Sequence, residues 1–227
     1  MSGQLPLPLP ATASFAPADF IADLSNEGAR RWLAQPASWP DSRLALHGPE
    51  GVGKTHLLRM TAAARGWAVS DGAALSDLPE LPALGWVIDD ADAAPEPSAL
   101  LHAMNAAREA RLPLLLAARA PPARWGFALP DLVSRLRATT AVAVEEPGDG
   151  LLRAVLAKLL ADRQIALRAE LQARIITQLP RRAGAIAGFV ARLDAASLAA
   201  GKLNQATVQS LLRDISMDEV PPAAGLG

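Results

Sequence analysis

Lys54 and Thr55 close the octapeptide Gly48-Pro49-Glu50-Gly51-Val52-Gly53-Lys54-Thr55, which fits the pattern G-x-x-x-x-G-K-[ST]. The chemistry suited to that spacing is the holding of a nucleoside diphosphate or triphosphate. Phosphate oxygens must come within hydrogen-bonding distance of consecutive backbone N–H groups, and a Cβ would obstruct them; Gly48, Gly51 and Gly53 remove the obstruction. Pro49 and Val52 occupy variable positions of the same loop. Lys54 can place a point charge on the β- and γ-phosphates, the Thr55 hydroxyl can ligate Mg²⁺, and a helix starting there and running through His56 turns its positive end to the anion. A second group of chemistry-bearing residues ends the run Trp86-Val87-Ile88-Asp89-Asp90. An apolar strand capped by acids is common in isolation. Together with the phosphate loop it places Asp89 as a ligand to Mg²⁺ through water and Asp90 as the carboxylate that orients an attacking water.

The elements around these residues must bring the loop and the acids together. Leu44-Ala45-Leu46 has the pattern of a buried strand and His56-Leu57-Leu58-Arg59-Met60 that of a helix, the strand–loop–helix order that the phosphate loop requires. Further strands are predicted at Trp67-Ala68-Val69, Leu84-Gly85-Trp86-Val87-Ile88 and Leu112-Pro113-Leu114-Leu115-Leu116-Ala117, with a helix over residues 99–111. Strands alternating with helices imply an α/β fold with a parallel sheet flanked by helices, whose ligands bind beyond the C-terminal strand ends. Upstream, residues 26–33 read as a helix with Ser25 available as N-cap. After Pro147-Gly148 the pattern becomes helical throughout, over residues 151–163, 169–179, 183–199 and 204–215. Leu152, Val155, Leu156 and Leu159 form one apolar stripe, and Val208, Leu211, Leu212 and Ile215 another. The expected organisation is a tail at 1–14, a nucleotide-binding α/β domain at 15–147, a small all-helical lid domain at 148–220 and a disordered end at 221–227.

Composition narrows the function further. The 227 residues are 51% hydrophobic, enough for a sizeable core, and carry 22 basic against 23 acidic residues for a net charge of −1. No global positive field recommends the chain as a nucleic-acid binder, so DNA is expected to be reached indirectly. There is no cysteine, which removes disulfides and thiolate chemistry, and His47, His56 and His102 have no partner at ligand spacing. No basic residue precedes Arg30 and no apolar run approaches about 18 residues, so a cytoplasmic protein without membrane contact is expected. Trp32, Trp39, Trp67, Trp86 and Trp125 read as core residues.

A helical domain trailing a phosphate-loop α/β domain resembles the AAA+ class, and three stretches narrow the resemblance. Leu129-Pro130-Asp131-Leu132-Val133-Ser134-Arg135-Leu136 is similar to the arginine-finger segment of DnaA and its small relative Hda. Leu193-Asp194-Ala195-Ala196-Ser197-Leu198 resembles the end of the Hda lid, and Gln4-Leu5-Pro6-Leu7-Pro8-Leu9 resembles the sliding-clamp-binding peptide of Hda. The resemblance covers almost the whole chain, whereas DnaA continues into a helix-turn-helix domain after this sequence has stopped. It implies a regulator of replication initiation that binds ADP or ATP with Mg²⁺, docks on the DNA polymerase sliding clamp and stimulates ATP hydrolysis by DnaA. Gln4, Leu5, Leu7 and Leu9 would enter the clamp, with the prolines preorganising the peptide. Arg135 would act in trans on a neighbour's γ-phosphate. Phe20, Ile21 and Asn26 match the stretch that lies against adenine. DNA would be met through the clamp, and a homodimer is left open.

Two departures from the resemblance carry consequences. Where DnaA-like proteins place a polar sensor-1 residue, this chain has Ala117-Ala118-Arg119, and Gly184 stands where the sensor-2 arginine of the lid would lie. Arg181 or Arg182 could substitute from beside it. Slow intrinsic hydrolysis is expected, with the work done mainly on a partner. The alternative is an autonomous AAA+ ATPase, such as a helicase-loader-like motor, using Lys54, Asp89 and Asp90 on its own nucleotide.

Overall fold

The computed structural model describes residues 20–75, 81–200 and 205–218. Five strands make one sheet: β1 (Arg43–His47), β2 (Ala68–Asp71), β3 (Trp86–Asp89), β4 (Leu114–Ala118) and β5 (Ala141–Ala143). Their spatial order is β2-β3-β4-β1-β5 and every pairing is parallel. Parallel neighbours need crossover connections, here helices that cover both faces, so the central strands are apolar on both sides. β4 is the extreme case, with all five residues buried.

The side chains alternate between two cores, as the two-residue period of a strand requires. Ala45, Trp86, Ile88, Leu114, Leu116 and Ala118 face α3 (Pro97–Glu109) and α4 (Pro130–Arg137). Leu44, Leu46, Val87, Leu115 and Ala117 face α1 (Leu24–Ala34) and α2 (Lys54–Arg65). Trp39, Trp67, Trp86 and Trp125 are buried and Trp32 packs against the second core, as their reading as core residues anticipates. The third core is helical: Leu152, Leu156, Ile175, Phe189, Val190, Leu193, Val208 and Leu212 join α5 (Asp149–Asp162), α6 (Ala169–Gln178), α7 (Ala183–Ala200) and α8 (Gln205–Asp218).

The differences from the sequence reading lie at element ends. The N-cap of α1 is Asp23, not Ser25: its carboxylate accepts the Ser25 N–H at 3.0 Å, and Asn26 Oδ1 accepts the Asp23 N–H at 3.2 Å in a reciprocal capping box. Ser25 stands one residue inside the helix. β3 begins at Trp86 instead of Leu84, and Gly85 just before it passes against the Trp67 indole, where a Cβ would lie 2.5 Å from ring atoms. α4 and the three-residue β5 have no counterpart among the predicted elements. Among the described residues no helix is long and apolar enough to cross a membrane.

Candidate functional site

The phosphate loop leaves the C-terminal end of β1 and enters α2. Its three glycines have positive φ, +155° at Gly48, +76° at Gly51 and +105° at Gly53, a region that residues with a Cβ rarely adopt. At Gly48 a Cβ would also collide with the Val144 carbonyl, so the loop and the residue after β5 approach closely there. Gly53 is the N-cap of α2 and makes no side-chain cap, so the first N–H groups of the helix stay directed at the loop mouth. Val52 is buried and anchors the loop in the core beneath.

Lys54 is buried, and its ammonium donates to the loop carbonyls of Gly48 at 2.7 Å and Pro49 at 2.8 Å. Burial pulls its pKa below the ordinary lysine value, opposed by Asp90 and Asp89. Asp92, unremarked in the sequence, adds to that opposition, and Arg119 acts against it. Thr55 is exposed on the first turn of α2, its hydroxyl close enough to Asp89 to favour the ionised carboxylate. Asp89 ends β3 half-buried; desolvation raises its pKa above the usual carboxylate value, and the nearby Thr55 hydroxyl is the largest opposing effect. Its Oδ1 also accepts the Asp90 N–H at 3.1 Å. Asp90 itself is exposed and left-handed, φ 46° and ψ 45°, an uncommon conformation for a residue with a Cβ. Strand order explains the meeting of Thr55 with Asp89, since β4 alone separates β1 from β3 and both end on the same edge. A hydroxyl and a carboxylate in contact are hard oxygen donors of the kind Mg²⁺ takes, with phosphate and water completing its shell. These two residues fit that ion.

Phe20 and Ile21 lie at the side of the loop helix. The Phe20 ring is 5.5 Å from the His56 ring, and the buried Asn26 amide donates to the Ile21 carbonyl at 3.1 Å. The capping box therefore also fixes the segment bearing the two residues expected to meet adenine. His47, the last residue of β1, is half-buried, and burial pushes its imidazole below the ordinary value.

The two arginines left open at the lid separate in space. Arg181 pairs with Asp149 at 2.7 Å, at the start of α5. Arg182 packs on the loop: a Cβ on Gly51 would lie 3.0 Å from its Cβ and 3.1 Å from its Cδ. Gly184 also faces Gly51, whose Cα would be 4.0 Å from an added Cβ. Arg182 is thus the arginine whose stem packs against Gly51 of the phosphate loop. The signal in sequence was only a choice of two, because a turn decides which neighbour points inward.

Arg135 is elsewhere. It occupies the last turn of α4, and its charge is felt by the buried Arg43, which opens β1 and pairs with Asp41 at 2.8 Å. The phosphate loop follows the other end of β1, about 13 Å along the strand from Arg43. Gln4, Leu5, Leu7 and Leu9, and residues 221–227, lie outside the described residues.

No family model and no curated protein matches this sequence. Solved structures do. Domain III of the Thermotoga maritima replication initiation protein DnaA is similar with a TM-score of 0.77 at 17% identity, covering 91% of this chain and 98% of that one. The replication initiator DnaA bound to AMPPCP and single-stranded DNA gives 0.69 at 18% identity, over 91% of this chain and 70% of that one. A Thermotoga maritima RuvB mutant gives 0.65 at 16% identity, over 86% and 69%. The fold of this chain is thus the α/β fold, a parallel sheet flanked by helices, of DnaA domain III and RuvB.

Proposed function

We propose that this protein is a nucleotide-binding AAA+ regulator of the Hda type, which docks on the sliding clamp and stimulates ATP hydrolysis by DnaA. ADP or ATP sits on residues Gly48 to His56 beside Phe20 and Ile21, with Mg²⁺ held by Thr55 and Asp89 and a water oriented by Asp90. The body is an α/β domain over 15–147 and a lid over 148–220. The observation that carries the reading is the placement of Arg135 at the opposite end of β1 from the phosphate loop. An arginine there cannot reach its own chain's γ-phosphate, but it can enter the site of a neighbour packed against that face, where it would stabilise developing charge. Gln4, Leu5, Leu7 and Leu9 supply the tether to the clamp. Tethering raises local concentration, so a weak contact between the AAA+ bodies suffices.

The deciding experiment measures hydrolysis on purified, ATP-loaded DnaA with DNA-loaded clamp, with and without this protein. Acceleration that requires both protein and loaded clamp supports the regulator. Turnover by this chain alone, with no effect on DnaA, replaces it with the autonomous ATPase, a reading favoured by the contact between Thr55 and Asp89.

A further inference from the structure

Arg43 is a buried guanidinium that the nucleotide site does not use. It opens β1, and the two-residue period of the strand turns its side chain to the face of Ala45, toward α3 and α4. The charges of Arg135, in the last turn of α4, and of Arg108, in the last turn of α3, both reach it. Its side chain is 3% exposed; Nη2 meets the Asp41 carboxylate at 2.8 Å, while Nε and Nη1 are buried without a hydrogen-bond partner. A buried charge so incompletely satisfied is costly, and an aliphatic side chain would fill the same space at less cost. Two successive left-handed residues, φ 49° at Asp41 and 55° at Ser42, form the turn that brings Asp41 to it, a second cost at the same place. The end of α4 is fixed as well, since the buried Thr139 hydroxyl donates to the Arg135 carbonyl at 2.9 Å. Among the described residues no ion pair holds Arg135 itself, not even one with Asp131 a turn earlier on its own helix.

We propose that Arg43 is a positioning residue for Arg135: it occupies the Asp41 carboxylate, so that the Arg135 guanidinium keeps no counter-ion on its own chain and stays available to the nucleotide of a neighbouring subunit. The proposal rests on the reading of Arg135 as a residue that acts in trans. The Asp41 side chain is 57% exposed and, left alone, would accept from whichever guanidinium lies nearest. Arg43 is anchored beside it by the ladder of β1 and takes that place first. Like charge adds to the effect, because Arg43 and Arg108 repel Arg135 from this end of the sheet and direct it toward solvent. There the phosphate of a neighbour is the strong acceptor that a guanidinium fork fits.

The test is hydrolysis on ATP-loaded DnaA with DNA-loaded clamp, stimulated by the full chain as wild type, Arg43→Met, Arg43→Lys and Arg43→Met combined with Asp41→Asn. Arg43→Met releases Asp41 to Arg135 and is expected to lower the stimulated rate about tenfold, with nucleotide and clamp binding at wild-type strength. Arg43→Lys keeps a charge on Asp41 and is expected to recover part of the loss. The double variant removes the released carboxylate and is expected to return the rate to within about threefold of wild type, a recovery that a purely structural role of Arg43 does not produce. Full stimulation by Arg43→Met, or a double variant as impaired as the single one, overturns the proposal and leaves the trans reading of Arg135 standing. Stimulation by Arg135→Ala at the wild-type rate overturns both.

Discussion

The site is built from groups that are costly to place, which makes single substitutions informative. Gly53 holds φ +105° with open space where a Cβ would stand, so Gly53→Ala tests conformation free of collision. Urea unfolding should show a loss of about 1 kcal/mol. Lys54 presents a buried charge that two loop carbonyls hold in place. Lys54→Ala should weaken nucleotide binding by at least about tenfold, read by fluorescent-nucleotide titration, while the chain stays folded. Asp89 has a pKa raised first by burial. A raised carboxyl binds protons more readily folded than unfolded, so its contribution to stability is fully present below the ordinary carboxylate pKa and is lost as pH rises through the raised value. Asp89→Asn should therefore raise Tm at neutral pH while reducing the Mg²⁺ dependence of nucleotide binding. In the wild type that dependence should fade on acidification toward the carboxylate range, as protons compete with the metal.

At the scale of elements, the start of α1 does two tasks with one motif. Asp23 caps the helix and Asn26 both completes the capping box and holds the Ile21 carbonyl. Hydrogen bonds from the Ser25 backbone N–H, foremost, keep the Asp23 carboxyl below the usual carboxylate value. A depressed carboxyl contributes stability above its unfolded pKa and loses it as pH falls through the folded one, so the cap should weaken in acid. Asp23→Ala should cost about 1 kcal/mol in urea unfolding at neutral pH. It should also loosen nucleotide binding if Phe20 and Ile21 flank the base. The position of Ser25 ahead of the helical pattern suggested the cap, yet Asp23 takes it, because the helix starts one turn-fraction earlier than its apolar periodicity does. Exposed Leu24 shows why: the first helical residue faces solvent at 85% exposure and contributes nothing to the pattern.

For the whole molecule, the sheet holds Arg135 and the phosphate loop at opposite ends of β1, so the two functions should separate by mutation. Arg135→Ala is expected to keep nucleotide and clamp binding and to lose stimulation of DnaA, by about a thousandfold in the hydrolysis rate if it acts as arginine fingers do. Gln4→Ala should lose the clamp in a pull-down on DNA-loaded clamp with nucleotide affinity intact. Clamp binding at wild-type strength in that variant would refute the tether.

The sequence by itself determined the phosphate loop, the acid-capped strand, the first four strands with helices α1 to α3 and the helical second half, because each rests on local chemistry: glycines where φ must be positive, apolar residues at the period of their element, acids at a strand end. Sheet order was not local, nor was β5, whose three residues Ala141-Val142-Ala143 carry too short a pattern to announce a strand and become one by pairing with β1. The contact of Thr55 with Asp89, the ion pair of Glu50 with Arg119 and the choice of Arg182 over Arg181 at Gly51 all join residues far apart in the chain. Only tertiary structure decided them, since which side chain faces a loop depends on how strands are ordered and how a separate helical core is seated against them.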